Sequence, residues 1–182
     1  MFKKLLIALP LAAALALPAA AQEFPDRALR IVHGFGAGGN ADTVSRIMAE
    51  EMSKILGQPV VVESRPGAGG TVASGYVSKE DPDGYTMQLM VGGHAVAAAL
   101  YNSLPYESVD GFTFISTLGQ FPFMVAARTG EYESISALIE AAKASPGSIK
   151  IGHSGVGSTQ HLTGELLALR TGAEFLHIPY KG

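Results

Sequence analysis

The chain has 182 residues, no cysteine and no tryptophan, and a formal net charge of −3 from 13 basic and 16 acidic side chains. Disulfides and thiolate metal sites are therefore excluded, and without a basic cluster nucleic acid is not an expected partner. The length suits one ordinary domain and is too short for two large ones.

Lys3 and Lys4 precede an apolar run over residues 5–17, and Ala19, Ala20 and Ala21 offer the small residues that a signal peptidase reads. Residues 1–21 thus read as a secretory signal cleaved after Ala21, with the periplasm as destination. A membrane anchor is the alternative. The apolar run falls short of the about 20 residues needed to span a bilayer, and Pro10 and Pro18 interrupt it. Loss of Lys3 and Lys4 makes the remaining chain more acidic, so an anionic ligand must be held by local groups rather than by a general positive field.

The predicted elements begin with a strand over 29–32. Gly34, Gly36 and Gly39 follow as G-x-G-x-x-G, and Val44, Ile47, Met48, Met52, Ile55 and Leu56 recur at helical spacing until Gly57. Residues 59–63, with three consecutive valines, predict a strand of the fully buried kind, completing a parallel β-loop-α-β unit. A second glycine-rich turn over 65–70 leads into a short helix over 71–79, opened by Thr71. After a turn at 81–84, a third strand covers 85–91 and a helix covers 95–100.

Residues 112–118 and 121–128 are apolar, aromatic and β-branched, and predict strands crossing between two parts of the molecule. A helix over 134–144 follows, ended by Pro146 and Gly147. Residues 148–152 predict a strand, 153–159 a glycine- and serine-bearing loop, the next stretch to Gly172 a helix, and 175–180 a strand. The first lobe is placed at 22–124 and the second at 125–182. No sequence repeat of fixed period relates the two units.

Both strand-loop-helix units offer the same chemistry. The first N–H groups of a helix lack intrahelical partners and the macrodipole adds roughly half a positive charge, so a carboxylate or phosphate docks there without lysine. In the first loop Gly38 and Gly39 precede Asn40, the expected N-cap, with Phe35 as an apolar wall; in the second, Ser154, Ser158 and Thr159 add hydroxyls. Asp42 is either a helix-dipole partner or a ligand contact. Arg65 either binds a carboxylate bidentately or braces its loop. His94 and His161 could donate to an anion, or be ordinary solvated or core histidines. The five histidines show no tight metal-ligand spacing, so no metal site is expected.

Two enzyme readings were weighed on motifs. Gly34, Gly36 and Gly39, with Glu63 at the end of the next apolar run, fit a dinucleotide-binding oxidoreductase, although nicotinamide cofactors are scarce outside the cytoplasm. Gly152-His153-Ser154-Gly155 begins like a nucleophile elbow, but Val156 takes the last glycine position and no acid-then-histidine order follows.

The stretches Pro25-Asp26-Arg27, Phe35-Gly36-Ala37-Gly38-Gly39-Asn40-Ala41-Asp42, Leu56-Gly57-Gln58-Pro59 and Arg65-Pro66-Gly67-Ala68-Gly69-Gly70 carry a resemblance. So do Pro82-Asp83-Gly84-Tyr85, Gly155-Val156-Gly157-Ser158-Thr159 and His177-Ile178-Pro179-Tyr180-Lys181-Gly182. From residue 24 onward the chain resembles the Bug family, the periplasmic substrate-binding receptors of tripartite tricarboxylate transporters. The resemblance implies an α/β, periplasmic binding protein-like clamshell of two lobes with mostly parallel sheets. It implies a monomer that is not an enzyme, closes on a small carboxylate without a cofactor, and delivers it to a membrane permease. Carried over, it points to Phe35, Ala37, Gly38, Gly39 and Asp42 in one lobe and Ser154, Ser158 and Thr159 in the other.

The chain departs from the family at His33 and Gly34, where proline or a similar apolar residue is usual. It also stops at Gly182, directly after a motif that in the family lies inside the second lobe, so it resembles a fragment with an incomplete second lobe. A dinucleotide-binding oxidoreductase and a non-functional truncated product stand as the alternatives.

Overall fold

The computed structural model describes residues 23–181, and the expected signal segment lies outside the described residues. Strand β1 (Leu29–His33) is the centre of a three-stranded parallel sheet in the order β2-β1-β3, with β2 at Val60–Ser64 and β3 at Thr86–Leu89. Four of the five β1 residues are buried, as a central parallel strand covered on both faces requires. The three valines of the next strand do not follow the expected burial. As the edge strand, β2 lacks a neighbour on one side, and Val61 is half exposed.

Helix α1 (Asn40–Leu56) supplies the crossover between β1 and β2. Its N-cap is Gly39, not Asn40, and no side chain caps it. The helix lays Ala41, Ser45 and Ala49 against the sheet, one small residue per turn, so its axis can approach closely. The larger apolar residues of the expected stripe flank that seam, and Ile55 is 81% exposed. Gly57, at φ 68°, closes the helix by donating its N–H to Ser53 O.

A 3-10 turn (Ala68–Gly70) runs into α2 (Thr71–Val77), so Thr71 is the first residue of the helix, behind Gly70, rather than its cap. Helix α3 (Gly93–Leu100) then starts two residues earlier than expected. Residues 101–134 contain no helix or strand. The two strands expected within 112–128 are absent because no neighbouring strand among the described residues supplies a hydrogen-bonding partner, and the apolar side chains there are exposed. The lobe boundary expected at 124–125 falls inside this irregular connection.

Helix α4 (Ile135–Ala144) is capped by Ser134, whose Oγ accepts from Ala137 N–H at 3.1 Å. Beyond it, β4 (Lys150–His153), α5 (Thr159–Thr171) and β5 (Leu176–Pro179) form a second parallel unit. This is an α/β fold with two parallel sheets. Among the described residues no helix is long and apolar enough to cross a membrane.

Candidate functional site

The first loop, residues 34–39, leaves the buried C-terminal end of β1 and enters α1. Asp42, on the first turn of that helix, is 4% exposed and organises the loop from below. Its Oδ2 accepts from Gly38 N–H at 2.9 Å and from Arg46 Nε at 2.9 Å, while Oδ1 lies 3.1 Å from His33 Nε2. The hydrogen bonds from Arg46, Gly38 and His33 hold its carboxyl well below the usual carboxylate range, against the opposing effect of burial. Asp42 therefore shapes the loop, and the Gly38 N–H it engages is already used.

Phe35 is buried in the same loop, and its carbonyl accepts from Ser64 Oγ at 2.6 Å. Ala37 and Gly38 stand exposed at the loop tip. Gly34 has an ordinary backbone conformation. Its lack of a side chain matters because a Cβ there would lie 2.5 Å from Gly70 Cα. The 67–70 turn that approaches it has four successive positive φ angles: 146° at Gly67, 44° at Ala68, 64° at Gly69 and 105° at Gly70. Three of these four residues are glycine, the residue that reaches this region without steric cost.

The second loop, residues 154–158, leaves β4 and enters α5. Ser158 is fully buried and is the N-cap, its Oγ accepting from His161 N–H at 3.2 Å. Ser154 donates to Gln160 Oε1 at 2.7 Å. Thr159, the first residue of α5, faces the other lobe: a Cβ on Gly92 would lie 2.9 Å from its Oγ1.

Each loop packs against a neighbouring segment: Gly36 N–H donates to Lys181 O at 3.1 Å, just beyond β5, and a Cβ on Gly69, in the 67–70 turn, would lie 2.9 Å from the Gly157 carbonyl carbon. The 67–70 turn thus lies between Gly34 of the first loop and Gly157 of the second, and Thr159 lies beside Gly92. The space among Gly34, Phe35, Gly70, Gln88 and His94 is only about 10 Å³, closed to anything larger than a water.

Three residues expected near the ligand have other work. Arg65 pairs with Glu63 at 2.6 Å and stacks its guanidinium 3.5 Å from the Tyr76 ring centre, an arrangement that braces its loop. His94 engages both nitrogens, one with Ser74 Oγ at 3.0 Å and one donating to Ser108 O at 2.8 Å. Its ring stacks on Tyr106. His161, whose Nδ1 accepts from Gly157 N–H at 3.4 Å, joins a cluster with His153 and His177 whose nitrogens lie within 4.8 Å of one another. Sequence spacing hides the cluster because parallel pairing of β4 with β5 and the return of α5 bring its members together.

Residues 44–182 match the family model described as Tripartite tricarboxylate transporter family receptor. The chain belongs to this family. A UPF0065 protein from the gbd 5' region of Cupriavidus necator is 40% identical over 176 residues, covering 92% of this chain and 52% of that protein. Among solved structures, the periplasmic binding protein BugD is 36% identical with a TM-score of 0.74, covering 87% of this chain and 54% of BugD. MatC from Rhodopseudomonas palustris, solved with bound malate, is 32% identical with a TM-score of 0.81, covering 87% of this chain and 55% of MatC. This receptor-family chain therefore spans about half the length of the relatives it matches, and it shares the α/β fold of periplasmic binding proteins.

Proposed function

We propose that the chain is the ligand-capturing part of a periplasmic receptor that takes up a small carboxylate and passes it to the permease of a tripartite tricarboxylate-type transporter. The observation that carries this is the packing of the two α/β units at their loop ends, Gly36 on Lys181 beyond β5, the 67–70 turn on Gly157, and Gly92 on Thr159 at the start of α5. Partial positive charge from two directions suits one carboxylate, and neither loop brings a lysine or arginine head into the cleft, Arg46 being bound to Asp42. Malate in the related MatC supports a dicarboxylate class, the BugD relationship supports the periplasm, and family membership supports the permease as partner.

In this reading Phe35 forms the apolar wall, and Ala37 and the first turn of α1 present N–H groups from one side. Ser154, Thr159 and the first turn of α5 act from the other. Small-molecule pockets have volumes of about 300–1,000 Å³, so uptake requires the two loops to part before they close on the ligand. A dinucleotide has no such opening. Gly36 and Gly38 have their N–H groups engaged, and Glu63 is paired with Arg65.

The test is thermal shift of the purified chain with malate, longer dicarboxylates, aromatic acids, amino acids and NAD. A ligand at about 100 times its Kd stabilises the folded state by about 2.7 kcal/mol, and Thr159→Ala should reduce that shift. Absence of a shift with every carboxylate, or a shift with NAD alone, rejects the proposal.

A further inference from the structure

We propose that His153, His161 and His177 form a binding site for one divalent transition metal ion of the zinc class. His153 stands at the end of β4, His177 on the adjacent β5, and His161 on the first turn of α5. Their ligating nitrogens lie within 4.8 Å of one another, and their ring centres are 4.5 to 5.5 Å apart.

The metal-free hydrogen bonding already resembles that of ligating histidines. His153 Nδ1 donates to Gly155 O at 3.0 Å, which leaves Nε2 as a lone pair; that atom is buried and has no partner. His177 Nε2 lies 3.4 Å from Glu165 Oε1, and its Nδ1 is likewise buried without a partner. Metal-bound histidines characteristically donate their other N–H to a carbonyl or carboxylate, which fixes tautomer and ring orientation. The carbonyl arrangement is present at His153, and Glu165 stands 3.4 Å from His177 Nε2, placed to supply the carboxylate arrangement when the two close.

His161 is the ligand that adjusts. Its Nδ1 accepts from Gly157 N–H at 3.4 Å and its Nε2 lies 3.5 Å from Glu165 Oε1, both long for hydrogen bonds; ligation through Nε2 moves the ring proton to Nδ1 and gives up the long Gly157 contact. Zinc–nitrogen bonds of about 2.0–2.1 Å in a tetrahedron put ligand nitrogens roughly 3.3 Å apart, and small ring rotations would draw the three together. Gly164 makes the space: a Cβ there would lie 2.8 Å from His177 Cε1. With three imidazoles and no thiolate, the site suits zinc, copper or nickel rather than calcium or magnesium.

The experiment uses the 182-residue chain without a histidine tag, stripped with chelator and kept free of carboxylates, so its result is independent of the proposed ligand site. Zinc is titrated calorimetrically, and cobalt(II) is followed by its visible absorption. One ion per chain is expected, with tetrahedral-type cobalt bands, and His153→Gln and His177→Gln should each weaken binding at least tenfold. Glu165→Gln should weaken it about 10–100-fold as an outer-shell partner. If circular dichroism shows the histidine variants unfolded, X-ray absorption on the zinc-loaded native chain decides through its count of imidazole ligands. Absence of saturable binding, binding unchanged in both folded histidine variants, or fewer than three imidazoles on the metal overturns the proposal.

Discussion

Asp42 and Gly34 show how single residues set the shape of the first loop. Asp42 is ionised in the fold, and its pKa lies below the ordinary 3.8, so its stabilising contribution is complete above that value and lost as pH falls through and below it. Asp42→Asn should lower the thermal midpoint at neutral pH and flatten the decline of stability on acidification. Parallel acid curves for the two proteins would refute the assignment. Gly34→Ala should cost about 1–3 kcal/mol in urea unfolding, because the added Cβ meets backbone at Gly70 that has no rotamer to yield. Gly34 completes an apparent dinucleotide pattern, yet its place is explained by that backbone approach.

At the scale of elements, helix ends rather than helix faces carry the candidate chemistry. α1 starts at a glycine without a side-chain cap, whereas α5 is capped by the buried Ser158. Ser158→Ala should cost about 1 kcal/mol and Ser158→Gly only a few tenths, measured as a change in urea midpoint at constant slope. The exposed cap Ser134 should cost less than Ser158 when replaced by alanine. Equal losses at the two positions would show that burial of the Ser158 hydroxyl adds nothing.

For the whole molecule, two parallel sheets are joined by a long irregular segment that leaves Ile115 81% and Met124 88% exposed. Apolar surface of this kind promotes association. Replacing both residues with lysine should leave unfolding free energy within about 0.5 kcal/mol while lowering self-association in light scattering. A large loss of stability would mean that the segment packs in solution.

Most elements were legible in the sequence because strand-loop-helix units announce themselves locally: β1, α1 with its stop at Gly57, α4 and β4-α5-β5 all lie close to their expected positions. The loops before α1 and α5 were legible for the same reason, since glycines between a strand and a helix mark a helix N-terminus. Two expectations failed from one cause: the valine run, expected to be fully buried, is an edge strand, and 112–128, expected as strands, has no strand beside it, because both outcomes depend on what lies beside the residue in space. The sequence alone determined the order of elements, the α/β class and the two glycine-bearing loops, because these follow from periodicity and turn chemistry. Tertiary structure alone decided which strand is an edge, that Asp42, Ser158, Arg65 and His94 find polar partners within the fold, and that three distant histidines lie together, because pairing and burial are properties of neighbours that the chain order does not name.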